Sequence, residues 1–72
     1  MNRFSTETLL FSKWTKENPL QLTERCYLVV ACQRNAQGEL VQVVMQDINT
    51  LEEQEVDWHE LEDPQHWYMG WH

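Results

Sequence analysis

Hydrophobic and polar positions divide the middle of the chain into two strands joined by a short loop. Residues 26–32 form an apolar run in which neither face of a strand would be polar. This run predicts a central strand over 25–33 that is covered on both sides or strongly bent. The next residues, 34–39, carry asparagine and glycine at hairpin spacing, which predicts a short loop with Gly38 in a left-handed conformation. Apolar residues alternate with glutamines over 40–48. The pattern therefore predicts a hairpin over 25–48.

The segment before this hairpin has a mixed pattern. Residues 9–15 fit either a first strand or a short helix capped by Ser5 or Thr6. Their apolar residues follow neither the two-residue period of a strand nor the roughly 3.6-residue period of a helix closely. Phenylalanine, tryptophan and threonine favour the strand. Asn18 and Pro19 then mark a loop. Residues 1–7 are polar, and we expect them to be flexible.

Four shorter elements are predicted after the hairpin. Residues 49–54 form a turn or a single helical turn, in which Thr50 and Glu53 have the spacing of a capping box. Residues 55–58 alternate as a half-buried strand does. Asp63 and Pro64 have the pattern of an N-cap and a first helical residue, which predicts a helical turn over 64–68 followed by a terminal strand.

The order of these elements predicts a mainly β fold. It is the layout of a small SH3-like barrel of about five strands, with a short helical turn before the last strand and one domain over 1–72. Six residues are predicted to lie in the core: Tyr27, Val29, Val43, Met45, Trp58 and Trp67.

Composition narrows the class of protein. A hydrophobic content of 42% argues against disorder despite a net charge of −7. We expect no signal peptide and no membrane span, since no apolar run is long enough. Cys26 and Cys32 would stand about 20 Å apart on one strand, too far for a disulfide. Reduced, buried thiols predict a cytoplasmic protein.

Charge is distributed unevenly. The 17 residues from 47 to 63 hold eight carboxylates and no lysine or arginine, whereas all five basic residues lie in 1–34. A solvated acidic surface that only keeps the protein soluble is one interpretation. The other is docking to a basic protein surface, which electrostatic attraction would accelerate. Direct binding of nucleic acid is not expected, because it needs clustered basic residues.

Histidines and cysteines are the candidate residues for a metal site or a nucleophile. His59, Asp63 and His66 would share one helix face and could hold a divalent metal, but Pro64 predicts that the helix starts after Asp63. A cysteine nucleophile is disfavoured, because Cys26 and Cys32 lie in the most apolar segment. We therefore predict no catalytic residue and no cofactor.

Short motifs, some of them with tryptophan, lie along the chain. The motifs are Lys13-Trp14-Thr15, Pro19, Arg25-Cys26-Tyr27, Val29 and the pattern formed by Trp58, Leu61, Asp63, Trp67, Gly70 and Trp71. These motifs resemble those of a family of small tryptophan-rich bacterial proteins from cyanobacteria and gammaproteobacteria. The resemblance covers most of the chain from residue 12 onward and implies a bacterial, soluble domain.

The functional hypothesis is a non-enzymatic, bacterial protein-interaction module. It would dock a protein with a basic surface through partly exposed aromatic residues beside an acidic rim. A homodimer through the Trp71 end is also open. The alternative is a small metal-binding protein or enzyme that uses His59, Asp63 and His66. The predicted partner-binding residues are Trp71, Tyr68, Glu60, Glu62 and Asp63.

Overall fold

The computed structural model describes residues 2–18 and 23–71, which form one antiparallel sheet. The strands follow the order β4-β3-β2-β1-β5 across the sheet. A 3₁₀ helix of five residues, Trp58–Glu62, precedes the last strand. The strands are β1 (Lys13–Asn18), β2 (Thr23–Arg34), β3 (Leu40–Asp47), β4 (Glu53–Asp57) and β5 (Tyr68–Met69).

This architecture confirms a mainly β fold of five strands with a short helical turn before the last one. The predicted closure into a barrel is not seen. In the described part of the chain β4 and β5 do not pair with each other, so the sheet is open and barrel-like at most.

The central hairpin is formed by β2 and β3, as predicted. Gly38 has a φ of 81°, which is the left-handed conformation that the loop requires. The Asn35 side-chain oxygen accepts the backbone N–H groups of Gln37 and Glu39, at 3.0 and 2.9 Å. Two register shifts interrupt the pairing of β2 with β3. These irregularities fit a strand that bends.

The first strand begins later than predicted. Residues 9–12 do not extend β1, because Phe11 has a φ of 65° and the Ser12 N–H turns back to the Leu9 carbonyl at 2.9 Å. A left-handed residue ends an extended run, so the prediction of a strand from residue 9 is wrong. Leu9 is buried instead. The loop predicted at Pro19 lies outside the described residues.

The turn after the hairpin is present, but a different residue caps it. The Asp47 carboxylate accepts the N–H groups of Asn49 and Thr50 at 2.8 and 3.3 Å. The predicted capping box between Thr50 and Glu53 does not form, because Glu53 already begins β4.

Helical structure begins earlier than predicted. Asp57 caps the 3₁₀ helix by accepting the His59 N–H, so the strand predicted over 55–58 ends one residue sooner. The turn predicted from Pro64 is also present. There the backbone carbonyl of Asp63 accepts the N–H of His66, and the side-chain carboxylate of Asp63 accepts the N–H of Gln65.

The hydrophobic core lies on one side of the sheet and confirms five of the six predicted core residues. Trp58 is the exception: it is half-buried and packs against the core from outside. Its indole N–H donates to the Leu40 carbonyl at 2.9 Å, which holds the ring at the edge of the core. The buried apolar residues are Leu9, Trp14, Tyr27, Val29, Leu40, Val43, Met45, Val56, Leu61 and Trp67.

The N-terminal segment lies against this core. The Asn2 side-chain amide donates to the Leu61 and Trp67 carbonyls at 3.0 and 2.7 Å. The Phe4 ring meets the Trp14 and Trp58 rings edge-on, at centroid distances of 5.5 and 6.3 Å. The flexibility of residues 1–7 stays a prediction, but these contacts connect the segment to both the sheet and the 3₁₀ helix.

Candidate functional site

The sheet has a core face and an opposite face, and strand register assigns residues to each. Directly paired residues in neighbouring strands share a face. Val43 pairs with Val56 on the core face, whereas Val44 pairs with Glu55 on the other. We call this second side the outer face. It comprises Lys13 and Thr15 of β1, Cys26, Leu28, Ala31 and Gln33 of β2, Gln42, Val44 and Gln46 of β3, Glu53, Glu55 and Asp57 of β4, and Tyr68 of β5.

Trp71 crosses the β1 end of the outer face. Gly70, with a φ of 86°, lets the chain turn there, and its carbonyl accepts the Thr15 hydroxyl at 2.7 Å. The Trp71 indole N–H donates to the Tyr27 carbonyl at 2.9 Å. The Lys13 ammonium lies 4.8 Å from the centroid of the indole ring, within range of a cation–π interaction. The ring is therefore fixed in place.

Trp71 is nevertheless 40% exposed, which confirms the predicted partial exposure. Tyr68 is 37% exposed and stands opposite Thr15 on the same face. Large, amphipathic side chains that are held in place lose little entropy when a partner covers them. The structure thus brings the two predicted aromatic residues to one side of the sheet.

Acidic side chains lie at the far edge of the same face. Glu53 and Glu55 are exposed at alternate positions of β4. Asp57 follows them in the alternation, but its carboxylate caps the 3₁₀ helix, and the His59 N–H holds the pKa of Asp57 below its usual value. Sequence reasoning missed Glu53 and Glu55 as site residues. Their alternation within the strand was the available signal.

The three carboxylates predicted for the site lie elsewhere. Glu60 and Glu62 belong to the 3₁₀ helix, which buries Leu61 in the core and so lies on the core-face side. One Glu60 oxygen is 3.4 Å from the indole nitrogen of the buried Trp67. Asp63 follows the helix and forms the next turn. The structure therefore separates these carboxylates from the exposed aromatic pair, and their role in binding stays a prediction.

The histidines named for a metal site each pair with a different aspartate. His59 Nδ1 lies 2.8 Å from Asp57, and His66 Nδ1 lies 2.7 Å from Asp63. The backbone N–H of Gln65, followed by the His66 side chain, holds the pKa of Asp63 below its usual value. Over residues 2–18 and 23–71, no three His, Cys, Asp or Glu side chains are grouped so that they could hold a metal ion. The metal-dependent alternative stays a prediction that metal analysis of the purified protein can test.

Comparison with known proteins gives a family. The model of a tryptophan-rich protein family, DUF2389, matches residues 12–72. The chain belongs to this family. The resemblance to a tryptophan-rich family is thereby confirmed, and the family is one of uncharacterised function. No curated protein and no solved structure matches the chain.

The match to the tryptophan-rich family covers the whole sheet but leaves out the N-terminal turns. All four tryptophans and all five strands lie within residues 12–72. Asn2, Phe4 and Leu9 lie before the match, although they pack on its core. Phe4 and Leu9 also border an apolar cleft of about 430 Å³ between these turns and β5, with Phe11 and Met69 exposed at its rim.

The two cysteines are free and half-buried, so the prediction of buried thiols is only partly met. Burial raises the pKa of the Cys32 thiol, and the nearby Arg34 lowers it by less. A raised pKa disfavours the thiolate that a nucleophile needs.

In the described residues, no helix is long and apolar enough to cross a membrane.

Proposed function

We propose that this chain is a non-enzymatic, bacterial, cytoplasmic interaction module that docks another protein through its outer face. One observation carries the proposal. Trp71 is fixed in position but exposed, on the same sheet face as the exposed carboxylates of Glu53 and Glu55. The arrangement combines an aromatic anchor with an acidic rim.

Each part of this face has a separate role in docking. A preorganised indole is the kind of side chain that contributes most to binding energy at interfaces. The carboxylates at the rim contribute mainly to the association rate and to the choice of a basic partner. The short apolar stretch between them, with half-buried Leu28 and Val44, supplies contact area. These features favour a protein partner with lysine and arginine on its surface over nucleic acid or membrane.

The proposal is tested by photo-crosslinking in the native host. A photoreactive residue is placed at Trp71 or at Glu55, with exposed Gln65 as the control position away from the outer face. We expect both outer-face positions to crosslink the same protein, at a peptide rich in lysine or arginine, and Gln65 not to do so. Equal crosslinking from all three positions, or a crosslink only between two copies of the chain, would contradict the proposal.

A further inference from the structure

Strand β4 is an edge of the sheet with backbone groups that point outward. In the described chain it pairs with β3 alone. The Asp47 N–H donates to the Glu52 carbonyl at 2.9 Å. Hydrogen-bonded and non-hydrogen-bonded pairs alternate in an antiparallel ladder, so the next hydrogen-bonded pair is Met45 with Gln54. The N–H and C=O groups of Glu53 and Glu55 therefore face away from β3.

The same two residues carry the acidic side chains of this edge. Both are exposed, and no lysine or arginine within the described ranges lies at ion-pair distance from either. A cleft of about 220 Å³ is bordered by Glu53, Gln54, Glu55 and the apolar side chain of Val44. An apolar floor between two carboxylates suits a side chain with a methylene stem and a cationic head.

We propose that the β4 edge binds an extended segment of the partner that carries lysine or arginine at alternate positions. The segment pairs with the outward backbone groups of Glu53 and Glu55 and adds a sixth strand to the sheet. Its basic side chains then fall on the outer face beside the two carboxylates, with one stem on Val44. This inference rests on the proposed function and specifies the part of the partner that is recognised.

A second copy of the chain does not fit this edge. Pairing of β4 with β4 would bring glutamates of the two copies together on one face, where like charges destabilise a sheet. Acidic residues thus protect the edge from self-association while leaving it open to a basic strand. This charge complementarity is the reason for committing to a basic segment.

The experiment uses synthetic peptides and the full chain. One eight-residue peptide carries lysine at every second position between valine and threonine, and a second has the same composition with its lysines in one block. We expect the alternating peptide to bind more tightly and to shift the Glu53 and Glu55 amide signals in NMR spectra while slowing their hydrogen exchange. Neutralising both residues, Glu53→Gln with Glu55→Gln, should weaken its binding about fivefold or more.

A proline substitution tests the backbone pairing separately from the charge. Glu55→Pro and Glu55→Gln both lack the carboxylate, but only proline removes the outward N–H, and the edge position spares the ladder to β3. We expect Glu55→Pro to bind the alternating peptide about fivefold more weakly than Glu55→Gln. Thermal unfolding and the NMR spectrum of each variant establish that it is folded.

Two results would overturn the inference. One is equal binding of the alternating and block peptides, which indicates attraction by charge alone. The other is equal binding by folded Glu55→Pro and Glu55→Gln. Crosslinking from Trp71 to a basic protein would leave the proposed function standing in either case. Absence of that crosslink, with the peptide results as expected, would instead reject the proposed function and keep the strand-binding edge.

Discussion

The tryptophans of this chain differ in their surroundings, and their contributions to stability should differ accordingly. Trp67 is fully buried and meets the Tyr27 ring edge-on at 5.3 Å. We expect Trp67→Ala to cost about 3–5 kcal/mol, enough to unfold a domain of this size. Trp58→Ala should cost about 1–3 kcal/mol, because a half-buried ring loses less apolar burial and one hydrogen bond. Denaturant unfolding of both variants measures the difference, and equal losses would contradict it.

Asp47 makes stability depend on pH. The backbone N–H of Asn49 does most to hold the pKa of this carboxyl below its ordinary value. The backbone N–H of Thr50 and the Arg25 side chain lower it further. The pKa of Asp47 is lower in the folded state than in the unfolded state, where it is about 3.9. Ionised Asp47 therefore stabilises the fold at pH values above about 3.9, and this contribution is lost as the pH falls through the folded-state pKa. Asp47→Ala should therefore cost about 1–3 kcal/mol at pH 7.

The difference between wild type and Asp47→Ala should narrow as the pH falls below about 4, the range in which free aspartate takes up a proton. Unfolding curves recorded from pH 7 down to pH 3 measure it. Arg25→Ala serves as the control, because it removes the 3.4 Å contact to the Asp47 carboxylate and leaves the backbone donors to that carboxylate in place. A constant difference across this pH range would show that charge on Asp47 does not contribute.

Sequence reasoning identified individual core residues where the apolar period was clean and failed where burial depends on distant parts of the chain. Val29, Val43 and Met45 lie on strands whose alternation fixes which face they occupy. Trp58 was misassigned because its burial depends on the Leu40 carbonyl and on the N-terminal Phe4, neither of which any local pattern connects to it.

At the scale of elements, the hairpin loop depends on one backbone conformation. Gly38 has a positive φ, and a Cβ placed there would have no atom within 4 Å. A substitution therefore costs conformational strain alone. We expect Gly38→Ala to destabilise the protein by about 1–2 kcal/mol and Gly38→Asn by less, since asparagine tolerates the left-handed region. Thermal unfolding of the pair tests this, and an equal loss would mean that side-chain chemistry does not matter at this position.

The hairpin was predictable because it is local, whereas the elements on either side of it are set by long-range contacts. The loop signals of Asn35 and Gly38 lie between two apolar strands. By contrast, residues 9–12 turn because Phe11 donates its N–H to the Val29 carbonyl, a contact that the sequence pattern does not contain. The 3₁₀ helix forms between two caps, Asp57 and Asp63, and the sequence signal at Asp63-Pro64 marked its end as well as the next turn.

At the scale of the molecule, the sheet separates the charges that the sequence placed together. The acidic run from 47 to 63 is continuous in the chain, but the fold divides it between the outer face at β4 and the 3₁₀ helix on the core-face side. Trp71 was predicted correctly as partly exposed, yet the exposed carboxylates on its face of the sheet are not the ones predicted. Proximity along the chain and position on a two-sided sheet are different quantities, since successive strand residues point to opposite faces.

The two groups of carboxylates can be compared directly in association kinetics with the crosslinked partner. One variant neutralises the outer face, Glu53→Gln with Glu55→Gln, and the other neutralises the helix group, with Glu60→Gln, Glu62→Gln and Asp63→Asn. We expect the outer-face variant to slow association and to flatten its salt dependence, because charges within a Debye length, about 8 Å at physiological salt, act most strongly on the incoming surface. The helix variant should change the rate less and keep the fold, since asparagine still caps the following turn.

If only the helix variant slows association, the partner docks beside the 3₁₀ helix and the outer-face proposal is wrong. If neither variant changes the rate at low or near-physiological salt, the acidic residues serve solubility alone.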